Sequence, residues 1–115
     1  MSHARLADFR GGDNGEDHIT IDLYVADGEV RLTDVTVGPG PSKFFGEMVD
    51  RDWEMYVTVR REHRTAVCAA LGFLPEASDE EVLRTLKDRF TGIRGASHVT
   101  SWLKEHGVPF ETFAW

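Results

Sequence analysis

Asp50, Asp52 and Glu54 alternate along the chain. In an extended segment that spacing turns three carboxylates to one side. Such a group could hold Mg²⁺ or Mn²⁺, or keep one carboxyl protonated as a general acid through mutual repulsion. A metal nuclease or glycosidase needs further partners, and no Lys, His or Asn is placed beside these three to complete a set. The better expectation is a solvated acidic strip that meets a partner. The same alternation sets Asp22 and Tyr24 of an earlier strand, and Tyr56 beside Glu54, on the outward side. Asp22, Tyr24, Asp50, Asp52, Glu54 and Tyr56 are therefore the expected partner-binding residues. No residue is assigned to catalysis or to a metal, and no cofactor is expected.

Other reactive residue types lack the spacing their chemistry needs. His3, His18, His63, His98 and His106 include no HExxH or HxH pair. His106 ends an apolar helical stripe and is expected to cap that helix, where the dipole favours its charge. Cys68 sits among alanines in mid-helix, with only Arg64 one turn away, so burial is expected rather than nucleophilic chemistry. Gly38-Pro39-Gly40-Pro41 is followed by Ser42 and Lys43, but the spacing is not that of a P-loop. Residues 79–106 could be read as a helix-turn-helix with Lys87, Arg89, Arg94 and Lys104 toward DNA. Glu80, Glu81, Asp88 and Glu105 oppose that reading, and so does the acidic balance.

The elements that would position these residues follow from periodicity. Ile19, Ile21, Leu23 and Val25 alternate with polar residues, which predicts a half-buried strand. Asp27–Gly28 predicts a type I′ hairpin turn, since both central residues need positive φ. Val30 and Leu32 continue the apolar face. Val35 and Val37 resume it one residue late, so a bulge is expected near Thr33–Asp34. Met55, Val57 and Val59 mark a third strand. A helix is expected from Arg60–Arg64 to about Leu71, stopped by Gly72. Ser78 with Glu81 forms a capping box for a second helix bearing Val82, Leu83, Leu86 and Phe90. Ser97 is expected to cap a third helix bearing Val99, Trp102 and Leu103. Val108–Trp115 reads as a last strand, with Phe110 on one face and Phe113 and Trp115 on the other.

Strands followed by helices indicate α+β. The expectation is an antiparallel sheet of the N-terminal hairpin, the third strand and the C-terminal strand, with about three helices on one face. Residues 18–115 form the single domain, and residues 1–17, polar and glycine-bearing, are read as a flexible lead-in. The opening residues lack an apolar run, so no secretory signal is read there. With one cysteine and no long apolar stretch, a cytoplasmic location is expected. The net charge is −7, and residues 1–60 carry −6 of it, from six bases and twelve acids. That balance disfavours nucleic acids and anionic membranes and favours a basic partner.

Three stretches carry a resemblance: Asp27-Gly28-Glu29-Val30-Arg31-Leu32, Trp53-Glu54-Met55-Tyr56-Val57, and the C-terminal run from Trp102-Leu103 through Gly107-Val108-Pro109-Phe110 to Trp115. Over roughly residues 18–115 the chain resembles a group of small acidic actinobacterial proteins. In general build these are similar to immunity proteins of bacterial polymorphic toxin systems. Trp53 in place of a smaller aromatic, and Val108 in place of Ile, are departures. The resemblance implies inhibition by occlusion, and it brings no catalytic residues with it.

Residues and resemblance together predict a non-enzymatic, protein-binding module, an immunity protein whose acidic face neutralises a basic, nuclease-like toxin domain. The alternatives are a small metal-dependent hydrolase or ligand-binding protein using Asp50, Asp52 and Glu54, and a DNA-binding regulator using residues 79–106. The same surface could also serve a homo-oligomer.

Overall fold

A computed structural model describes residues 2–11, 17–37, 53–92 and 94–114. Its five strands are β1 (Ser2–Gly11), β2 (Asp17–Ala26), β3 (Glu29–Val37), β4 (Trp53–Val59) and β5 (Glu111–Ala114). They form one antiparallel sheet in sequence order. Between β4 and β5 the chain makes a 3₁₀ turn, Arg61–His63, and three helices: α1 (Arg64–Ala70), α2 (Asp79–Phe90) and α3 (Gly95–Glu105). The fold is α+β. Among the described residues no helix is long and apolar enough to cross a membrane.

Alternation decides which side of the sheet is covered. Ile21, Leu23 and Val25 of β2, Val30 and Leu32 of β3, and Val57 and Val59 of β4 are all buried and share one face. Against that face pack Val67 and Cys68 of α1, the Val82, Leu83, Leu86 and Phe90 stripe of α2, and Val99, Trp102 and Leu103 of α3. Helix α2 lies over β1 and β2, and α3 lies over β3. Local signals hold where expected. Asp27 and Gly28 have φ of 55° and 77°, as a type I′ turn requires. The Ser78 hydroxyl accepts from Glu81 N, and the Glu81 carboxylate accepts from Ser78 N, both at 3.2 Å. His106 closes α3, its ring centroid 5.0 Å from that of Trp102.

Three expectations are corrected. The lead-in expected over residues 1–17 contains a ten-residue strand, β1, which adds a fifth strand to the sheet. Its inward residues Ala4, Leu6, Ala7 and Phe9 include two alanines, too little apolar contrast to stand out in the sequence. The bulge expected near Thr33–Asp34 is absent. The β2–β3 and β3–β4 registers run without a break, and Asp34 follows Val30 and Leu32 on the inward face, opposite Ile21 and Met55. The irregularity lies instead in β1, between Arg5 and Ala7, so that Leu6 and Ala7 are both buried. Finally, α3 begins at Gly95 after Arg94 with no side-chain cap, which puts Ser97 inside its first turn.

The β1 bulge also fixes the helices. A bulge frees backbone groups from the ladder, and here the Leu6 carbonyl accepts the Gly92 N–H at 2.9 Å, between α2 and α3. At Gly95 an added Cβ would sit 2.7 Å from the Phe90 carbonyl oxygen and 3.0 Å from Leu6 Cδ1. Only glycine lets α3 start this close to α2 and β1. Leu6→Ala should therefore cost about 2–5 kcal/mol of unfolding free energy. Gly95→Ala should cost about 1–3 kcal/mol through overpacking against fixed backbone. Leu74→Ala, at a residue 72% exposed, should stay within about 0.5 kcal/mol. Urea unfolding of the three variants checks the ranking, and a silent Gly95→Ala would contradict the packing described.

Candidate interaction face

The face of the sheet that no described helix covers is built by the residues that alternate with the core. The register sets them in cross-strand rows. One row runs Arg5, Asp22, Thr33, Tyr56, Phe113, and the next runs His3, Tyr24, Arg31, Thr58, Glu111. A third holds Asp8, Thr20, Val35 and Glu54. Tyr56 and Phe113 are direct cross-strand neighbours, and Tyr24 lies one row away on β2, with β3 between it and Tyr56. Phe113 is 57% exposed. Three aromatic rings thus share an open sheet surface, where such rings ordinarily gain by burial.

Around the rings the polar groups are tied to each other. Asp22 Oδ1 accepts from His3 Nε2 at 2.8 Å and from Arg5 Nε at 2.9 Å. Arg5 also donates to Asp8 Oδ2 at 3.1 Å, and His18 Nε2 donates to Asp8 Oδ1 at 2.6 Å. For Asp22, burial pushes the carboxyl up, but hydrogen bonds from Arg5 and His3 outweigh it and hold it below the usual carboxylate range. The hydrogen bond from His18 likewise lowers Asp8. On the other flank the Tyr56 hydroxyl donates to Glu54 Oε2 at 2.5 Å, and that bond raises the Tyr56 phenol. Arg31 donates to Glu29, and Arg60 to Glu111.

Of the residues expected to bind a partner, Asp22, Tyr24, Glu54 and Tyr56 share this face. Asp50 and Asp52 lie outside the described residues. Among its described residues the face carries Asp8, Asp22, Glu29, Glu54 and Glu111 with Arg5, Arg10, Arg31 and Arg60, so 4 − 5 = −1. No group of three or more His, Cys, Asp or Glu is placed to hold a metal ion among the described residues. Helices α2 and α3, the expected alternative for DNA, turn their apolar stripes onto the sheet, and α2 opens with Asp79, Glu80 and Glu81.

Sequence reasoning passed over Asp34. Its Oδ1 is buried and has no hydrogen-bond partner among the described residues, and burial raises its pKa. The signal was present: positions 30, 32 and 34 keep period two, and a carboxylate simply takes the third inward place.

Comparison with family models, with curated proteins and with solved structures finds no match.

Two pH effects follow. A carboxyl depressed in the folded state contributes stability above its ordinary value, and that contribution is lost as pH falls through the lowered one. Arg5→Ala should move the Asp22 midpoint upward in a carboxyl-carbon NMR titration, and acid unfolding should begin at a higher pH. An unmoved midpoint would show that Arg5 does not hold Asp22. Asp34 has the opposite sign. Its raised pKa means that the folded state keeps a proton the unfolded state has lost, so stability falls as pH rises from about 4. Asp34→Asn should raise the melting temperature at about pH 7, and the gain should shrink toward about pH 4. A gain equal at both pH values would remove the charge explanation.

Proposed function

We propose that this chain is a non-enzymatic binding module whose open sheet face docks on a protein partner. The observation that carries the reading is the placement of Tyr24, Tyr56 and Phe113 in adjoining rows on the side of the sheet that no described helix covers. Tyrosine and other aromatics surrounded by polar groups make the energetic centre of many interfaces. The Arg5–Asp22–His3 and Asp8–His18 network would form the rim. It holds its side chains in place beforehand, which lowers the cost of ordering them on binding.

The partner we favour is basic. The chain carries −7, and −3 of that comes from residues 12–16 and 38–52, where five acids stand with two bases. Both connections leave the described sheet at one end, since Gly11 pairs with Asp17, His18 with Val37 and Thr36 with Trp53. A negative field of this kind speeds encounter with a cationic surface. A toxin domain with a phosphate-binding groove is such a surface, and blocking it is what an immunity-type protein does.

Affinity capture from the source cells, run with the wild type and with Tyr24→Ser/Tyr56→Ser, tests the reading. A basic protein should be retained by the wild type. Its affinity, remeasured with purified components, should fall about tenfold or more in the double variant. Glu54→Lys should slow association and flatten its salt dependence. Equal affinity for wild type and double variant would remove the face, and an acidic partner would remove the electrostatic argument.

A further inference from the structure

On the opposite side of the sheet from the aromatic rows, an open cleft of about 550 Å³ lies between α3 and strands β3, β4 and β5. That volume is in the range of small-molecule sites. Its chemistry is mixed in a definite way. Asp34 and Met55, cross-strand neighbours, come from the inward face of the sheet. Ala96, Thr100 and Lys104 stand at four-residue spacing on α3 and so share one side of the helix. Phe110 closes the apolar part. Arg94 stands where α3 begins.

Four observations point to a ligand. Asp34, half-buried, lines the cleft and makes no side-chain hydrogen bond or ion pair among the described residues. Arg94 and Lys104 line the cleft and form no ion pair among the described residues. The first turn of α3 has no side-chain cap, and its dipole favours negative charge at the Arg94 end. Met55, Phe110 and Ala96 offer an apolar surface beside these polar groups. The fixed charges at the mouth are positive, while the group within is a hydrogen-bonding carboxyl.

We propose that this cleft binds a small organic anion with an apolar, ring-sized body and a hydroxyl group. The carboxylate or phosphate head lies against Arg94 and the start of α3. The body lies on Met55 and Phe110, and the hydroxyl reaches Asp34. Lys104, about 15 Å along the helix from Arg94 at 1.5 Å per residue, adds to the positive field without holding the same head. The site is independent of the partner-binding face.

The test is a ¹⁵N NMR titration of the whole protein with four probes: 4-hydroxyphenylacetate, phenylacetate, phenyl phosphate and 4-methylphenol. Amide shifts are expected at Asp34, Met55 and residues 96–100. The hydroxylated acid should bind more tightly than phenylacetate, and 4-methylphenol, without an anion, should bind weakest. Comparison of phenylacetate with phenyl phosphate identifies the preferred head. Arg94→Ala, at an exposed residue, should weaken both anions about tenfold. Asp34→Ala should abolish the advantage of the hydroxyl, and Tyr24→Ser/Tyr56→Ser should change nothing. Shifts that map elsewhere, no binding of either anion, or equal affinity in Arg94→Ala would each overturn the proposal. Arg94→Ala keeps it testable if Asp34→Ala fails to fold.

Discussion

The hydrogen bond from Gly92 N–H to the Leu6 carbonyl joins the two halves of the molecule. The strands come mostly from the first half of the chain and the helices from the second. Helical hydrogen bonds are internal to each helix, so only side-chain burial and a few such links fix where a helix lies on a sheet. The bulge in β1 supplies one of them. It turns Leu6 and Ala7 inward together and releases a carbonyl toward the chain between α2 and α3. Gly95 then allows the start of α3 to sit against Leu6 and Phe90. The position of α3 in turn sets the width of the cleft over Asp34. A single extra residue in an edge strand thereby governs features on the far side of the sheet.

Much of this architecture is legible in the sequence because periodicity is a local property. The strand with Ile21, Leu23 and Val25, the Asp27–Gly28 turn, the Ser78–Glu81 box and the α2 stripe all announce themselves within a few residues. The outward placement of Asp22, Tyr24, Glu54 and Tyr56 follows from the same alternation. What stays hidden depends on partners distant in sequence. β1 could not be seen because Ala4 and Ala7 give little contrast and the bulge breaks its phase. With β1 unseen, the pairing of Asp8 and Asp22 with Arg5, His3 and His18 had no basis in the sequence. Asp34 misled for a related reason. Sequence rules expect an apolar residue at an inward strand position, and shifting the phase was the cheaper way to keep the rule. Departures of this kind are expected where a protein binds something.

The two faces of the sheet use ionisable groups differently. On the open face, acids and bases stand on neighbouring strands and satisfy one another, so the surface is polar yet close to neutral. Pairs this exposed contribute little to stability. Their effect is to hold side chains in fixed places around the aromatic rings. On the covered face Asp34 has no such company among the described residues, and its carboxyl shifts toward the neutral form. The same residue type is thus a paired charge on one side and an unpaired, desolvated carboxyl on the other.

The bulge has one more consequence, for growth of the sheet. The outer edge of β1 is ten residues of backbone, long enough to recruit a strand from another molecule. A recruited strand would need an unbroken ladder, and at Leu6 the repeat is interrupted in the middle of the edge. At the other margin β5 offers only four residues. The irregularity that seats the helices therefore also discourages the sheet from polymerising. Among the described residues, the aromatic rows of Tyr56 and Phe113 thus lie on a sheet with no long unbroken strand edge.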